Sequence, residues 1–405
     1  MGAKSSGEKV LKTLTKAGYA AYFVGGMVRD TLLSKASFDI DITTDATPDE
    51  VLTLFEKTIA TGLQHGTVTV VIDGKNIEVT TFRLDGDYLD NRHPDGVTFT
   101  HSLLADLARR DFTINAMAQT IDRTIYDPFN GKTDLKEKII RSVGDPKQRF
   151  EEDALRILRG IRFVAKLGFD IEEKTLEAMK ACHELLKNLS IERIRKEFEG
   201  IIAGEYRTKA LKIMCDYELF DYIPFFHSFH DISDDEIKRL DDFRLIIILL
   251  EEWSRIGYIE EKFLEKFPVT REEKKLIKDI YASFDELQMI DNYEFREEVC
   301  WDKLTQYYFG VETLQILMKY RNFDDANYNR QDVFHVPFDL PIYSRNDLAI
   351  QPKEVIQLSK KVPGSWINQL FTELERAVLL EEIGNNHKEL FAFIKERGIF
   401  NVEKT

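Results

Sequence analysis

Cysteine is scarce in this 405-residue sequence: Cys182, Cys215 and Cys300 are scattered without paired spacing. That excludes a disulfide framework or a zinc cluster of cysteines and fits a reducing compartment. Long apolar runs are missing as well. The run "LIIILL" at 245–250 has the length of a core helix, far short of the roughly 20 residues a membrane span requires. The opening "MGAKSSGEKV" has no apolar segment of the export-signal kind, so a cytosolic protein with no membrane partner is expected. No fixed-period repeat or low-complexity tract occurs. A net positive charge is also absent, since the formal charge is −15, the wrong sign for a uniformly basic nucleic-acid binder. The charge is uneven, however. Between Lys132 and Lys166 ten Lys/Arg stand against six Asp/Glu, so the rest carries −19. One basic stripe on an acidic body can still hold a phosphate backbone; the alternative is a solvated helix face laced with ion pairs.

What is present divides near residue 145. Before it, short β-rich runs alternate with turns: "AAYFVGG", "FDIDIT", "GTVTVVIDG", "KNIEVTTFR" and "INAMAQTI". Asp73-Gly74 between two of them signals a hairpin. After "GDPKQRF" the pattern is helical almost to the end. Leu155, Ile157, Leu158, Ile161, Val164 and Leu167 recur near helical spacing, and Gly168 supplies a stop. Further helices are expected at about 173–188, 192–203 and 207–219 and beyond 235, with an Asn-, Asp- and Pro-rich linker near 320–350. At this length two to four domains are expected. The fold class read from this is α+β: an N-terminal mixed or antiparallel sheet flanked by helices, followed by an all-helical arm.

Asp39 and Asp41 in "FDIDITTD" raise the chemical question. On a strand, residues two apart face one side, about 6.6 Å apart along it. Two carboxylates so close repel unless a cation sits between them, and Mg²⁺ is the hard ion that takes a few carboxylate oxygens and completes its shell with phosphates. Two such ions can activate an attacking hydroxyl and hold a departing pyrophosphate. Glu78 falls on a neighbouring strand as a candidate third ligand. Upstream, "YFVGGMVRD" reads as a strand, a turn at Gly25-Gly26 and a helix beginning near Met27. Glycines let backbone approach a ligand, and the N–H groups opening a helix attract phosphate; Arg29 adds charge. Taken alone, an Asp pair is often solvent-facing and a Gly pair often a plain turn. Together they form an arrangement suited to nucleotidyl transfer.

The segments "GGMVRDTLLSKASFDIDITTDATPDEV", "DLARRDFTINAMA", "EEDALRILRGIRFVAKLGF" and "IERIRKEFEGI" resemble, in order and spacing, the signatures of class II tRNA nucleotidyltransferases. These are the bacterial-type CCA-adding enzymes of the polymerase β superfamily. The resemblance covers about residues 18–205 and returns weakly at "LPIYSRNDLAI" and "VPGSWINQLFTELERAVL". It implies a catalytic nucleotidyltransferase head (1–145), a helical neck for base recognition (146–205), a helical body (206–320) and a tRNA-binding tail (321–405). It also implies a two-Mg²⁺ site and template-independent addition of C, C and A to tRNA from CTP and ATP. The partners so implied are tRNA, ATP and CTP; a homodimer is among the expectations. By residue, Asp39 and Asp41 match the catalytic metal pair, while Gly26 and Arg29, with Gly25 beside them, match triphosphate contacts. Arg110 and Asp111 belong to an "RRD" motif for ribose and triphosphate, and Asp153, Arg156, Arg159 and Arg162 match a nucleotide-binding helix. A poly(A) polymerase, a CC-only or A-only enzyme, or a non-catalytic tRNA-binding relative would share much of this pattern.

The Asp153–Arg156 couple has a physical rationale. Cytosine and adenine each present an amine beside a ring acceptor, which a carboxylate and a guanidinium satisfy together. Uracil and guanine present a carbonyl and a ring N–H, which turn both contacts repulsive. Asp153 and Arg156 are expected three apart on one helix face, with Glu152 supporting Arg156 from four residues back. Arg159 and Arg162 wind onward, suited to phosphates. Asp111 is expected to accept from a ribose hydroxyl and Asn115 to brace the loop. His65 and His93 read as surface or core histidines. The polar segment 83–99 between strand-like flanks is a full-length loop of the kind that, in the family, supports the switch to ATP. His93 stands where relatives commonly have arginine.

Overall fold

A computed structural model describes residues 3–36, 40–60, 62–85, 97–230, 232–255, 263–291, 303–324, 340–359 and 361–399. Asp39, His93 and Cys300 lie outside the described residues, as does 86–96 of the polar loop. Two compact units are distinguished, Met1–Pro268 and Val269–Thr405.

The first unit opens with helix α1 (Ala3–Lys16) and a sheet built from β1 (Ala21–Val24), β2 (Asp41–Thr44), β3 (Thr58–Ile59), β4 (Thr67–Ile72), β5 (Lys75–Thr81), β8 (Ala118–Gln119) and β9 (Ile125–Tyr126). Strand order is β3-β4-β5-β2-β1-β8-β9. Its neighbours pair antiparallel except β2 and β5, which run parallel, so the sheet is mixed. The register sets Val24 opposite Asp41 and Asp41 opposite Glu78. Neighbouring strands lie about 4.8 Å apart, so the two acids are lateral neighbours. Val10, Leu11 and Leu14 of α1 are buried, as are Phe23, Ile42, Val68, Val70, Ile77 and Val79 from the strands. The hairpin at Asp73-Gly74 is present: β4 and β5 pair through Ile72 and Lys75, and both turn residues have positive φ (52° and 72°), the primed turn that matches strand twist. Lys9 and Ser6 of α1 donate to the Asp73 carboxylate. A separate ribbon, β6 (Arg83–Asp85) with β7 (Val97–Phe99), forms the two roots of the polar loop.

The run "INAMAQTI" is mostly not a strand. Thr113–Asn115 make a 3₁₀ turn, and only Ala118–Gln119 join the sheet. The buried Asn115 side chain is spent on polar partners described below.

Helices take over after Asp145, which caps the first of them by accepting from the Gln148 N–H, with Pro146 in the first turn. In chain order they are α4 (Leu103–Ala108), which precedes the changeover, then α6 (Pro146–Glu152), α7 (Leu155–Leu167), α8 (Glu173–Ala181), α9 (Ile191–Ile202) and α10 (Arg207–Asp216); α2 (Gly26–Leu32), α3 (Pro48–Leu54) and α5 (Gly131–Glu137) belong to the sheet region. Helix α7 buries the expected apolar face and ends at Gly168, φ 73°. The reading of Asp153 and Arg156 as neighbours on one helix is corrected. Asp153 is extended (φ −147°, ψ 100°) and terminates α6; α7 then starts at Leu155. Its carboxylate accepts from the Leu155 N–H at 3.1 Å just ahead of the new helix, which accounts for the break: a short acid competes for local backbone donors and favours a turn over a helix interior. Phe198 of α9 and, beyond α10, Phe220, Phe226, Phe229 and Phe263 are fully buried in a cluster packed ring against ring.

The second unit has helices at Arg271–Asp291, Lys303–Phe309, Val311–Asp324, Pro352–Ser359, Ser365–Leu379 and His387–Glu396. The last three and the stretch from Leu340 to Ile350 share a core of Leu340, Ile342, Leu348, Ile350, Leu370, Phe371, Leu374 and Leu390. Here the amphipathic run beginning at Trp366 packs.

Candidate active site

The turn after β1 depends on one residue. Gly25 adopts φ 64° and ψ −136°, a region that L side chains avoid. A Cβ built there would lie 3.4 Å from both Arg110 Nη1 and Asp41 Oδ2. Thus the backbone turn, a motif arginine and the strand carboxylate meet at one point. Gly25→Ala is expected to store about 1–3 kcal/mol of backbone strain, read as a comparable loss of stability by denaturant unfolding.

That point belongs to a cleft of about 1000 Å³, entirely within the first unit. It gathers Gly25, Gly26, Arg29, Asp41, Glu78, Arg110, Asp111, Asp153, Arg156, Arg159 and Arg162, residues up to 137 positions apart in sequence (25 to 162). Nine Lys/Arg line it against five Asp/Glu, so its field attracts an anion although the chain is acidic. Glu152 stands behind this lining, and Asp39 lies outside the described residues.

Several of these charged groups are held by specific partners. Arg29 is buried, donating from Nε to Asp30 (2.9 Å) and from Nη1 to Asn115 (2.6 Å), with its guanidinium 5.2 Å from the Phe163 ring centre. Asp111 is buried and receives four donors: the Phe112 N–H and Asn115 Nδ2 on one oxygen, Arg159 Nε and Nη2 on the other. Burial alone would raise its pKa; the Arg159 guanidinium overrides this and holds it at about 2. With its lone pairs so occupied, Asp111 fixes Arg159 and would have to give up a donor to accept from a ribose hydroxyl. Asn115 bridges Arg29 and Asp111 and so braces this corner. Arg162 pairs with buried Glu197 of α9 at 2.8 Å.

Asp153 and Arg156 are anchored separately. Arg156 donates to Glu152 (2.9 Å), as its spacing suggested, and also to the carbonyls of Arg149 and Arg109. Asp153 receives Arg193 Nη2 at 3.0 and 2.8 Å. Among the described residues no hydrogen bond or ion pair joins the couple's two side chains, so neither neutralises the other.

Three further residues, to which the sequence pattern gave no site role, shape this cleft. Arg193 lies inside "IERIRKEFEGI" and lines the cleft. Arg109 lines the cleft. Asp106, fully buried, receives Arg109 at 3.0 and 2.8 Å, Arg110 at 3.3 Å, the Thr43 hydroxyl at 3.2 Å and the Arg83 N–H at 3.4 Å. It ties β2, the root of the polar loop and both arginines together; burial opposes its ionisation, and Arg109 and Arg110 hold its pKa below the usual carboxylate value. The i,i+3/i+4 spacing of Asp106 with the two arginines was the available signal.

The donor set suits a hard cation. Asp41 and exposed Glu78 present carboxylate oxygens on adjacent strands at the cleft, which matches an ion that binds through one or two carboxylates plus substrate phosphates. Among the described residues no three acidic, His or Cys side chains form a closed cage.

A glycine-shaped turn, a strand carboxylate and an arginine-lined cleft on a mixed sheet define a nucleotidyltransferase. Comparison with known proteins agrees: the poly A polymerase head domain matches residues 21–141, the "Probable RNA and SrmB-binding site of polymerase A" matches 168–229, and tRNA nucleotidyltransferase domain 2 matches 256–394. The CCA-adding enzyme of Staphylococcus haemolyticus is 37% identical over 96% of both chains, and that of Pediococcus pentosaceus is 39% identical over 93% of both. A solved structure of the Bacillus stearothermophilus CCA-adding enzyme in complex with CTP superposes with a TM-score of 0.70, at 30% identity over 97% of each chain. The chain belongs to the CCA-adding enzyme family.

Proposed function

We propose that the protein adds C, C and A to the 3′ end of tRNA, using CTP and ATP and releasing pyrophosphate. One observation carries the reading within the site: an Asp–Arg couple, held by separate partners and not by each other, shares a cationic cleft with the Gly25 turn and Asp41. The triphosphate lies along Gly25, Gly26 and Arg110, with Arg29, Arg159 and Arg162 setting the field around it. Asp39, Asp41 and Glu78 would hold the metal. When bound, Mg²⁺ supplies Lewis-acid activation of the attacking 3′-hydroxyl and neutralises the departing pyrophosphate.

The base is read by the chain itself. Arg156 has spent both Nη1 hydrogens and one on Nη2, which leaves Nε–H and one Nη2–H for a ring acceptor. Asp153 takes the exocyclic amine. Cytosine and adenine satisfy both; uracil and guanine oppose both, at about 1–3 kcal/mol for such a paired contact. The loop rooted on β6 and β7 is the element we assign to the switch from CTP to ATP. We divide the chain into head (1–145), neck (146–205), body (206–320) and tail (321–405), the helical parts holding tRNA by shape and backbone. Among the described residues no helix is long and apolar enough to cross a membrane, and a tRNA substrate suits the cytoplasm.

Incubation with Mg²⁺ and tRNA lacking its 3′ CCA tests this. CTP alone is expected to add two residues, CTP with ATP three, and ATP alone one residue to tRNA already ending in CC. Long A tails, or arrest after CC with both nucleotides present, would replace the reading with a poly(A) polymerase or a CC-only enzyme.

A further inference from the structure

Asp153 cannot read a base unless its oxygens are presented in one fixed way, and the residue that fixes them is forty positions downstream. A carboxylate offers about four acceptor positions, two on each oxygen. Oδ1 is filled by the Leu155 N–H (3.1 Å) and Arg193 Nη2 (3.0 Å), and Oδ2 receives Arg193 Nη2 at 2.8 Å. One acceptor position remains, on Oδ2. Arg193 stands three residues into α9 and lines the cleft beside Asp153. Its own Nη1 is buried without a hydrogen-bond partner among the described residues, an unmade bond that buried donors normally avoid.

We infer that Arg193 is a positioning residue for base selection: it holds Asp153 so that a single Oδ2 acceptor position faces the exocyclic amine of the incoming nucleotide. The inference rests on the reading of Asp153 as the base-reading carboxylate. Without Arg193, Asp153 keeps its bond from the Leu155 N–H but can turn about its side-chain bonds. Oδ1 then gains a free position, and the carboxylate can swing clear of a uracil O4 that the fixed geometry repels. Arg193 therefore sharpens rejection of the wrong base more than it strengthens binding of the right one.

The test compares wild type, Arg193→Ala, Arg193→Lys and Asp153→Asn by kcat/KM for CTP and UTP on tRNA lacking its CCA end, with thermal melts alongside. The expected result is a roughly tenfold fall in the CTP/UTP ratio for Arg193→Ala, within the range of one mispaired polar contact. Arg193→Lys, which keeps the charge but loses the planar fork, is expected to fall about threefold and carries the test should the alanine variant not fold. A ratio unchanged in the Arg193 variants, with CTP and UTP use declining together, would overturn the inference by making Arg193 a packing residue. If Asp153→Asn also leaves the ratio unchanged, the base-reading assignment of Asp153 itself falls; if only Asp153→Asn lowers it, that assignment stands and Arg193 alone is dismissed.

Discussion

Asp41→Asn is expected to lower kcat for nucleotide addition about 10³-fold, with the melting temperature within about 2 °C of wild type. The magnitude follows from the part assigned to this carboxylate. Metal polarisation of the reacting oxygens contributes several kcal/mol of transition-state stabilisation, and about 4 kcal/mol corresponds to 10³ in rate. Asparagine fills the same space on β2 but offers a neutral oxygen to a dication. The small stability effect follows from position. Asp41 is the first residue of its strand and only part-buried, while Ile42, Thr43 and Thr44 behind it carry the packing; substitutions away from packed features usually stay within about 0.5 kcal/mol. Steady-state kinetics and a thermal melt on one preparation check both halves. A loss of activity that tracks a loss of fold would take Asp41 out of the chemistry.

Asp111→Asn is expected to act in the opposite sense, on stability first. It removes one partner of a buried pair and leaves Arg159 uncompensated, a change that costs about 3–5 kcal/mol in fully buried settings. Arg159 keeps 36% of its side chain exposed, so solvent screens part of the loss and about 2–3 kcal/mol is expected by denaturant unfolding. The wild-type pair also carries a pH signature. Burial opposes the Asp111 charge, Arg159 more than restores it, and the folded pKa is about 2 against about 3.9 in an unfolded chain. A depressed folded pKa stabilises above the unfolded value and loses that contribution as pH falls through the folded one. The difference between wild type and Asp111→Asn should therefore be full above about pH 4 and shrink towards pH 2. A pH-independent difference would mean that the pair's charge does not stabilise the fold.

How far the sequence reaches depends on the range of the interaction being read. Period and punctuation placed the hairpin at Asp73-Gly74, the helix ending at Gly168 and the change from sheet to helices near Asp145, because neighbours in sequence decide each of them. Strand alternation put Asp41 and Glu78 on adjacent strands, and the register sets them opposite one another. The helix break at Asp153 escaped a periodicity argument because Leu155, Ile157, Leu158 and Ile161 keep their spacing whether the helix starts at 146 or 155; the extended backbone of Asp153 and its bond from the Leu155 N–H mark the interruption. The partners of the charged groups were the least legible part. Asp111 finds Arg159 across 48 residues and Asp153 finds Arg193 across 40, and nothing in local pattern says which of the cleft's many arginines will face which acid. Arg29 shows the same limit: its position in the glycine motif suggests a hand held out to phosphate, yet its guanidinium is braced by Asp30 and Asn115 at the cleft wall.

The most direct test is a structure of the protein crystallised with CTP and Mg²⁺. The account predicts the cytosine amine on Asp153 Oδ2, the ring acceptor on Arg156, and the triphosphate beside Gly25, Asp41 and Arg110. A cytosine ring touching neither member of the couple, or a triphosphate bound away from Asp41, would contradict it.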